Sequence, residues 1–385
     1  MQQPVERSSR RKRALSIVLL LFLLIALGWG GWWWMIGRWS EFTDNAYVGG
    51  NVVQVTPQAA GTVIAVRADD TDFVKEGDEL VRLDRADAQV ALEQAEAQLA
   101  RTVRQVRGFY ASDSQLGATV AQREADLSRA EQDLVRREHA AASGAVSREE
   151  IEHARDSIAM ARAALAAARE QLRGSRALTD GTTVADHPDV RAAAAKVHEA
   201  YIAFARTSMP APVSGFVAKR SVQVGQRVSA GATLMAIVPL ERVWVDANYK
   251  ESQLADVRVG QPATVYADLY GGRVEYHGRV SGFGAGTGAA FALLPAQNAT
   301  GNWIKVVQRV PVRIALDAKE LAEHPLQIGL SLRVDIDTHD RNGPRLRSDV
   351  PPQVVQATAV FEAPEKQATE TVTRIIRNNA GRPGG

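Results

Sequence analysis

Two short stretches of this chain repeat the same spacing of glycines and aliphatic residues, and this repeat restricts the possible folds more than any other feature. Gly61 and Gly77 in the first stretch have the same spacing as Gly215 and Gly231 in the second. The aliphatic positions match in pairs, which are Val63 with Val217, Val74 with Val228, and Leu80 with Leu234. Equal spacing across both stretches indicates a duplicated β unit, although two unrelated glycine turns are the alternative.

Each repeat is too short to form a stable sheet alone. We expect the four glycines to adopt turn conformations with positive φ and the aliphatic residues to form half-buried strands. One repeat has too few strands to bury a face, whereas two packed together bury one. We therefore predict that residues 48–84 and 207–240 fold onto each other, so that the chain between them leaves and returns to nearly the same place.

The intervening residues 85–206 have the pattern of a long helical hairpin. Apolar or small residues recur at alternating steps of four and three, as a seam between two helices requires. They are Ala88, Leu92, Ala95, Leu99, Thr102 and Val106, then Val120, Leu127 and Leu134, and on the return Ile151, Ala154, Ile158, Ala161, Leu165, Ala168 and Leu172. A stretch over 174–190 interrupts the return. An arm of about 55 residues reaches roughly 80 Å at 1.5 Å per residue.

The turn of the hairpin lies at about 142–147. Gly144 is suited to a helix C-cap, and Ser147 with Glu150 forms a capping box that begins the second helix. A hairpin that closes on itself does not need such reach for stability. We therefore take the tip, with Ser143 and Val146, as a candidate docking surface for helix–helix contact.

The uncharged residues 14–36 are long enough to cross a bilayer. Arginines and a lysine dominate residues 7–13, which predicts that 1–13 stays in the cytoplasm and the rest is exported. Tryptophans crowd the far end of the apolar run, as expected at the headgroup level. A cleaved signal peptide is the alternative, but the run is long and its end lacks small residues. One helix forms no transport path, so function lies in the exported part or in a partner.

Short alternating strands over 241–338, with Tyr270-Gly271-Gly272-Arg273 as a hairpin signal, predict a small β-barrel. Residues 37–47 are expected to be a linker. Residues 339–385, rich in Pro, Arg and Gly, are expected to be a disordered tail.

No pattern in the chain predicts catalysis. Lys and Arg total 46 against 44 Asp and Glu, a net charge of +2 that gives no case for nucleic-acid binding. The chain has no cysteine, which excludes disulfides, cysteine zinc sites, cysteine nucleophiles and lipidation of cysteine. Metalloprotease, serine hydrolase and P-loop motifs are absent. Gly282, Gly284, Gly286 and Gly288 alternate without nucleotide-loop spacing. We expect no enzyme activity, metal or cofactor.

Three segments carry a resemblance to a known family. They are Thr43-Asp44-Asn45-Ala46-Tyr47-Val48, Trp244 to Glu251 with Tyr249 where Phe is common, and a glycine-rich segment that includes Gly286, Gly288, Pro295, Asn298 and Trp303. The chain resembles the periplasmic adaptors (membrane fusion proteins, HlyD family) of the EmrA type over roughly residues 43–338. The resemblance implies a mixed α and β fold with one N-terminal transmembrane helix, a split half-lipoyl β-sandwich, a coiled-coil hairpin and a C-terminal small β-barrel.

The resemblance implies an adaptor that bridges an inner-membrane major-facilitator multidrug transporter (EmrB-like) to a TolC-type outer-membrane channel. It also implies a homo-oligomeric ring, a trimer or a hexamer, held at the inner membrane. Some family members dock the channel through a tip motif that matches Arg136 and Ser147, with Ala140 here in place of Leu. No lysine lies where lipoyl carriers are modified, which argues against a swinging-arm cofactor.

Three other functions share parts of this pattern. An adaptor of type I protein secretion with an ABC transporter has the same architecture. A lipoyl or biotin carrier domain shares the sandwich, and a purely structural coiled coil shares the anchor and hairpin.

Overall fold

The computed structural model describes residues 8–35, 37–142, 144–288, 290–291, 307–346 and 356–381. The helices are α1 (Ser8–Met35), α2 (Ala86–Ala141), α3 (Arg148–Arg176), α4 (Pro188–Ala205), α5 (Ala318–Glu323) and α6 (Ala363–Asn379). The strands are β1 (Ser40–Gly49), β2 (Val53–Val55), β3 (Gly61–Val66), β4 (Phe73–Val74), β5 (Glu79–Leu83), β6 (Ser208–Pro210), β7 (Gly215–Ala218), β8 (Arg227–Val228), β9 (Met235–Val238), β10 (Trp244–Lys250), β11 (Pro262–Ala267), β12 (Glu275–Phe283), β13 (Arg309–Leu316) and β14 (Ser331–Asp337).

The two repeats form one β-sandwich, as their equal spacing predicts. One sheet has the order β2-β9-β7-β4 and the other β6-β5-β3-β8, so each sheet contains strands from both repeats. A single core joins them, in which Leu80, Leu83, Met235 and Ile237 are almost fully buried. The two repeats therefore complete each other's hydrophobic face, which neither could bury alone.

A pseudo-twofold relation links the two repeats down to single hydrogen bonds. The amide of Gly77 donates to Ala211 and that of Gly231 donates to Pro57, both at 2.9 Å. Ala211 and Pro57 are themselves equivalent, since each lies four residues before the first glycine of its repeat. The duplication seen in sequence is therefore also present in the backbone hydrogen bonding.

The four repeat glycines have two different roles. Gly77 and Gly231 have φ of +91° and +83°, the turn conformation that was expected. The same expectation is wrong for Gly61 and Gly215, which begin strands without positive φ. A side chain on Gly215 would come within 2.6 Å of the Val238 carbonyl oxygen, and one on Gly61 within 3.3 Å of Leu83. These two glycines allow close packing.

A closed six-stranded barrel has the order β1-β10-β13-β12-β11-β14. The prediction of a linker over 37–47 is wrong, because β1 is a barrel strand and Val48 belongs to it rather than to the sandwich. Thr43, Ala46 and Val48 turn inward, and their neighbours are exposed or half-buried. The barrel core contains Tyr249, Tyr276, Ile314, Leu332 and Ile336, each almost fully buried.

The hairpin has one continuous arm and one divided arm. Helix α2 has 56 residues, or about 84 Å at 1.5 Å per residue. The returning arm is divided into α3 and α4, and the break falls within the predicted interruption. Near the base, Leu99, Val103 and Val106 of α2 pack with Val190 and Val197 of α4. Val103 is fully buried there, whereas Thr102, the residue predicted for the seam, is only half-buried.

The prediction of a disordered tail over 339–385 is wrong for the segment that forms α6. This helix packs against α2 and α4 through Val372, Ile375 and Ile376, whose spacing of three and four forms one apolar stripe. The composition of the tail predicts disorder, but apolar residues recur at helical spacing within residues 363–379, and this segment forms a helix.

Candidate docking surfaces

Helix α1 leads directly into the barrel. Residues Ala14–Gly31 are the one window of the described residues that is long and apolar enough to cross a membrane, and none of it is buried in the protein. The Arg38 guanidinium lies 4.3 Å from the ring centres of both Trp34 and Trp39. Trp39 stacks on His339 at 4.9 Å, and its carbonyl accepts a hydrogen bond from the Thr338 amide at 2.8 Å. These contacts place the barrel immediately beyond α1.

The hairpin tip is a capped turn with exposed backbone. Gly144 has a φ of +78°, and its amide donates to the Ala141 carbonyl at 2.9 Å. The Glu150 amide donates to the Ser147 hydroxyl at 3.2 Å, and the Glu150 carboxylate accepts from the Ser147 amide at 2.8 Å. The bond from the Ser147 amide also lowers the pKa of Glu150. The predicted capping box is present, and its two hydrogen bonds fix the start of α3.

The other predicted tip residues are distributed along the end of the hairpin. Arg136 lies on the last turns of α2, where its guanidinium pairs with Asp133 at 3.2 Å while remaining largely exposed. Arg137 binds the second oxygen of the same carboxylate at 2.7 Å. The bond from Arg137, followed by that from Arg136, lowers the pKa of Asp133. Val146 is half-buried in the turn, and Ser143 lies outside the described residues.

Three ion pairs connect α2 and α3 along one edge of the hairpin. They are Arg155 with Glu138 at 3.4 Å, Arg162 with Glu131 at 3.0 Å, and Arg169 with Glu124 at 2.6 Å. Successive pairs are one heptad apart on both helices, so they share the period of the apolar seam. These pairs between the two helices therefore favour the register in which the apolar seam packs, a role that a single arm's sequence does not reveal.

The family signature segments occupy the barrel. The motif Thr43–Val48 lies on β1 and Trp244–Lys250 forms β10, and these two strands pair. The Thr43 hydroxyl donates to the Asn248 carbonyl at 2.9 Å, and the Asn248 amide donates to Asn45 at 3.2 Å. Gly286 and Gly288 follow β12, while Pro295, Asn298 and Trp303 lie outside the described residues.

Within the described residues, no group of three His, Cys, Asp or Glu side chains could hold a metal ion. The strongest pKa shifts belong to groups with structural roles. Burial raises the pKa of Tyr276 to about 12, and its hydroxyl donates to the His324 carbonyl at 3.0 Å inside the barrel.

Sequence reasoning missed α6, although its signal was present. Pro364 lies in the first turn of the helix, which is a common starting position, and Ala368, Val372, Ile375 and Ile376 follow at helical spacing. The helix packs on the base of the hairpin and contributes to a large cleft of about 970 Å³ beside the sandwich, which Tyr201, Phe204, Met209 and Phe361 help to line.

Comparisons with known proteins agree with this architecture. A sequence profile of the EmrA α-helical hairpin domain matches residues 86–207, which contain α2, α3 and α4. The fatty acid resistance protein FarA of Neisseria gonorrhoeae is 52% identical over 345 residues, which cover 88% of this chain and 85% of the relative. The multidrug export protein EmrA of Escherichia coli K12 is 45% identical over 380 residues, which cover 99% and 97%. The chain belongs to the EmrA-type membrane fusion proteins.

The EmrA-type family consists of adaptors of efflux pumps, a class without catalytic activity of its own. The resemblance inferred from the three sequence segments is thereby confirmed. A solved structure of the periplasmic adaptor protein EmrA aligns with 78% of this chain and 99% of its own length, at 19% identity and a TM-score of 0.39. As adaptors of pumps, EmrA-type proteins work with a transporter and an outer-membrane component.

Proposed function

We propose that this chain is the periplasmic adaptor of a tripartite multidrug efflux pump. It bridges an inner-membrane, EmrB-like major-facilitator transporter to a TolC-type outer-membrane channel. The observation that carries this proposal is the pairing of one membrane-compatible helix, joined to the barrel, with a hairpin of about 80 Å that leaves the sandwich. A tether and a long projecting rod are the two parts that a bridge across the periplasm requires.

The proposed topology is a single pass with the N-terminus in the cytoplasm and the bulk of the chain in the periplasm. The basic residues before α1 support this direction of insertion. The chain contributes geometry and no catalysis, and several copies form a ring whose hairpins project together. The transporter supplies the energy, because no nucleotide motif exists in the sequence.

The test combines partner identification with drug sensitivity. The full chain is purified in mild detergent from its host, and the copurifying proteins are identified by mass spectrometry. We expect a major-facilitator transporter and an outer-membrane channel, and we expect deletion of the gene to sensitise cells to hydrophobic drugs only when that transporter is present. Recovery of an ATP-hydrolysing transporter instead, with unchanged drug sensitivity, would favour the type I secretion adaptor and contradict the proposal.

The hairpin tip provides a more local test. Arg136→Ala removes an exposed guanidinium whose partner in the described residues is a carboxylate of its own helix, so the hairpin should remain folded. We expect less channel in the copurified complex and an unchanged amount of transporter. Arg129→Ala, an exposed arginine further from the tip, is the matched control. Equal channel recovery with both variants would show that Arg136 does not take part in docking.

A further inference from the structure

The two outer faces of the β-sandwich differ sharply although the pseudo-twofold relation makes them equivalent. Phe73 pairs with Phe216 at one end of the sheet β2-β9-β7-β4. The equivalent pair in the other sheet is Arg227 with Thr62. The two repeats can therefore be compared position by position. The same backbone positions carry aromatic residues on one outer face and polar residues on the other.

The aromatic pair is exposed to solvent. Phe73 is 51% exposed and Phe216 is 40% exposed, and their rings touch edge to face with centres 5.3 Å apart. Val238, which pairs with Phe216 across the strands, is half-buried beside them. The inner side of the same strands is already filled by Val74 and Val217. The phenylalanines therefore contribute little to the sandwich core, and burying them against a partner would be favourable.

The outer face of the other sheet carries a guanidinium and exposed aliphatic side chains, groups to which an aromatic pair can bind. Arg227 is exposed beside Thr62, and two aliphatic side chains are exposed nearby, Ile64 at 48% and Val224 at 63%. An arginine guanidinium stacks favourably on an aromatic ring, and the aliphatic side chains provide apolar contact around it. The two faces are thus complementary to each other, and they point away from each other on one sandwich.

We propose that the face with Phe73 and Phe216 binds a second copy of this chain, on its face with Thr62, Ile64, Val224 and Arg227. Copies anchored in one bilayer in the same direction are related by rotation about the membrane normal. Head-to-tail contact between unlike faces around such an axis closes into a ring. The inference rests on the proposed homo-oligomer and deepens it by naming the two surfaces that meet.

The absence of cysteine from the chain makes a direct test possible. Full-length Phe216→Cys and Arg227→Cys proteins are prepared separately, mixed in mild detergent, and oxidised. We expect a disulfide-linked dimer in the mixture and little in either protein alone. Leu178→Cys, at an exposed position on the hairpin, mixed with Arg227→Cys is the control. A mixture that yields no more dimer than this control would overturn the proposal, and so would a dimer formed by Phe216→Cys alone, which indicates like-face pairing.

A second variant tests the contribution of the aromatic pair to oligomer formation. Phe73→Arg together with Phe216→Thr gives this face the residues that its equivalent already carries. We expect the mass measured by light scattering to fall from that of the oligomer to that of the monomer, with the melting temperature unchanged. An unchanged oligomer mass would contradict the proposal. If the crosslink fails while transporter and channel still copurify with the wild type, only this interface is wrong and the adaptor function stands.

Discussion

Glu79 shows at the scale of single residues how the two repeats depend on each other. Its carboxylate is bound by the guanidinium of Arg82, by the Ser208 hydroxyl at 2.8 Å and by Arg67 at 2.7 Å. Ser208 belongs to the second repeat, whereas both arginines belong to the first, so the bond from Ser208 forms only when the sandwich closes. The hydrogen bond from Arg82, followed by those from Ser208 and Arg67, lowers the pKa of Glu79 from 4.5 to about 2.

The lowered pKa of Glu79 predicts a stability that depends on pH. A carboxylate with a lowered pKa stabilises the fold above its unfolded pKa of 4.5, and this contribution is lost as the pH falls from 4.5 toward 2. The Glu79 side chain is 22% exposed, so we expect Glu79→Gln to reduce the free energy of unfolding at pH 7 by about 1–2 kcal/mol. Urea unfolding of the full chain in detergent should show this difference shrinking below pH 4.5.

The matched control for Glu79 is its pseudo-twofold equivalent, Thr233, whose hydroxyl donates to Gln54 at 3.2 Å. Thr233→Ala removes a neutral hydrogen bond, so its effect should be the same at pH 7 and pH 3. A Glu79→Gln effect that is equally independent of pH would contradict the assignment of the lowered pKa.

Tyr249 marks the limit of what the sequence predicts for a single residue. Its place in a family segment was recognised, but Phe is common there, and the purpose of the hydroxyl was not evident. In the structure the ring is fully buried and the hydroxyl donates to the Glu41 carbonyl at 3.2 Å. The partner could not be predicted, because residues 37–47 were read as a linker rather than as a barrel strand.

At the scale of elements, the hairpin was the most predictable part of the fold because its signal is local and repeats many times. The heptad positions Ile158 and Leu165 are buried in α3, as predicted. The barrel strand β1 was missed because it pairs with β10 and β14, both about 200 or more residues further along the chain. The register of β1 against β14 also shifts between Thr43 and Ala46, so its buried residues do not alternate strictly and the strand pattern is interrupted in the sequence.

The two halves of the hairpin are expected to respond separately to a buried charge. Ile158 is 7% exposed between α3 and α2, and Leu99 is fully buried between α2, α4 and α6. An unpaired carboxylate at either position costs about 2–5 kcal/mol. We expect Ile158→Asp to speed hydrogen exchange in α3 and the distal half of α2, and Leu99→Asp to speed it in α4 and α6.

Ala159→Asp, which places the same charge on the exposed side of α3, is the control for these variants. It should leave hydrogen exchange unchanged in both halves. Faster exchange along the whole hairpin with either buried variant would show that the two halves unfold as one unit.

At the scale of the whole molecule, the chain is organised as an insertion within an insertion. The barrel begins with β1, is interrupted by the sandwich, and resumes at β10, while the sandwich is itself interrupted by the hairpin. The inner interruption was predicted because the repeat on either side has a recognisable spacing. The interruption of the barrel by the sandwich was not predicted. Strand β1 is a single strand before the sandwich, and no neighbouring strand or repeat in the sequence marks it as part of the barrel.

Helix α6 connects the C-terminal end of the chain to this nested arrangement. It follows the barrel in sequence, yet it packs on α2 and α4 at the base of the hairpin, where Val372 is 9% exposed and Ala368 is fully buried. Arg104 of α2 donates to Asn379 at 2.6 Å, and Tyr201 of α4 donates to Gln367 at 3.0 Å. The chain that follows the barrel is therefore held by α6 against the part of the hairpin nearest the sandwich.

Loss of the α6 contact should loosen the base of the hairpin and leave its tip unchanged. Val372→Asp places a charge in the interface that holds Val106 and Val197, and uncovering two or three aliphatic side chains costs about 3 kcal/mol. That cost corresponds to roughly 100-fold faster hydrogen exchange in α4 if the amides exchange by local opening. Thr373→Asp, on the exposed side of the same helix, should leave the exchange rate of α4 unchanged. If Val372→Asp exchanged no faster in α4 than Thr373→Asp, the packing of α6 would not be stabilising the hairpin, and its stripe of apolar residues would need another partner.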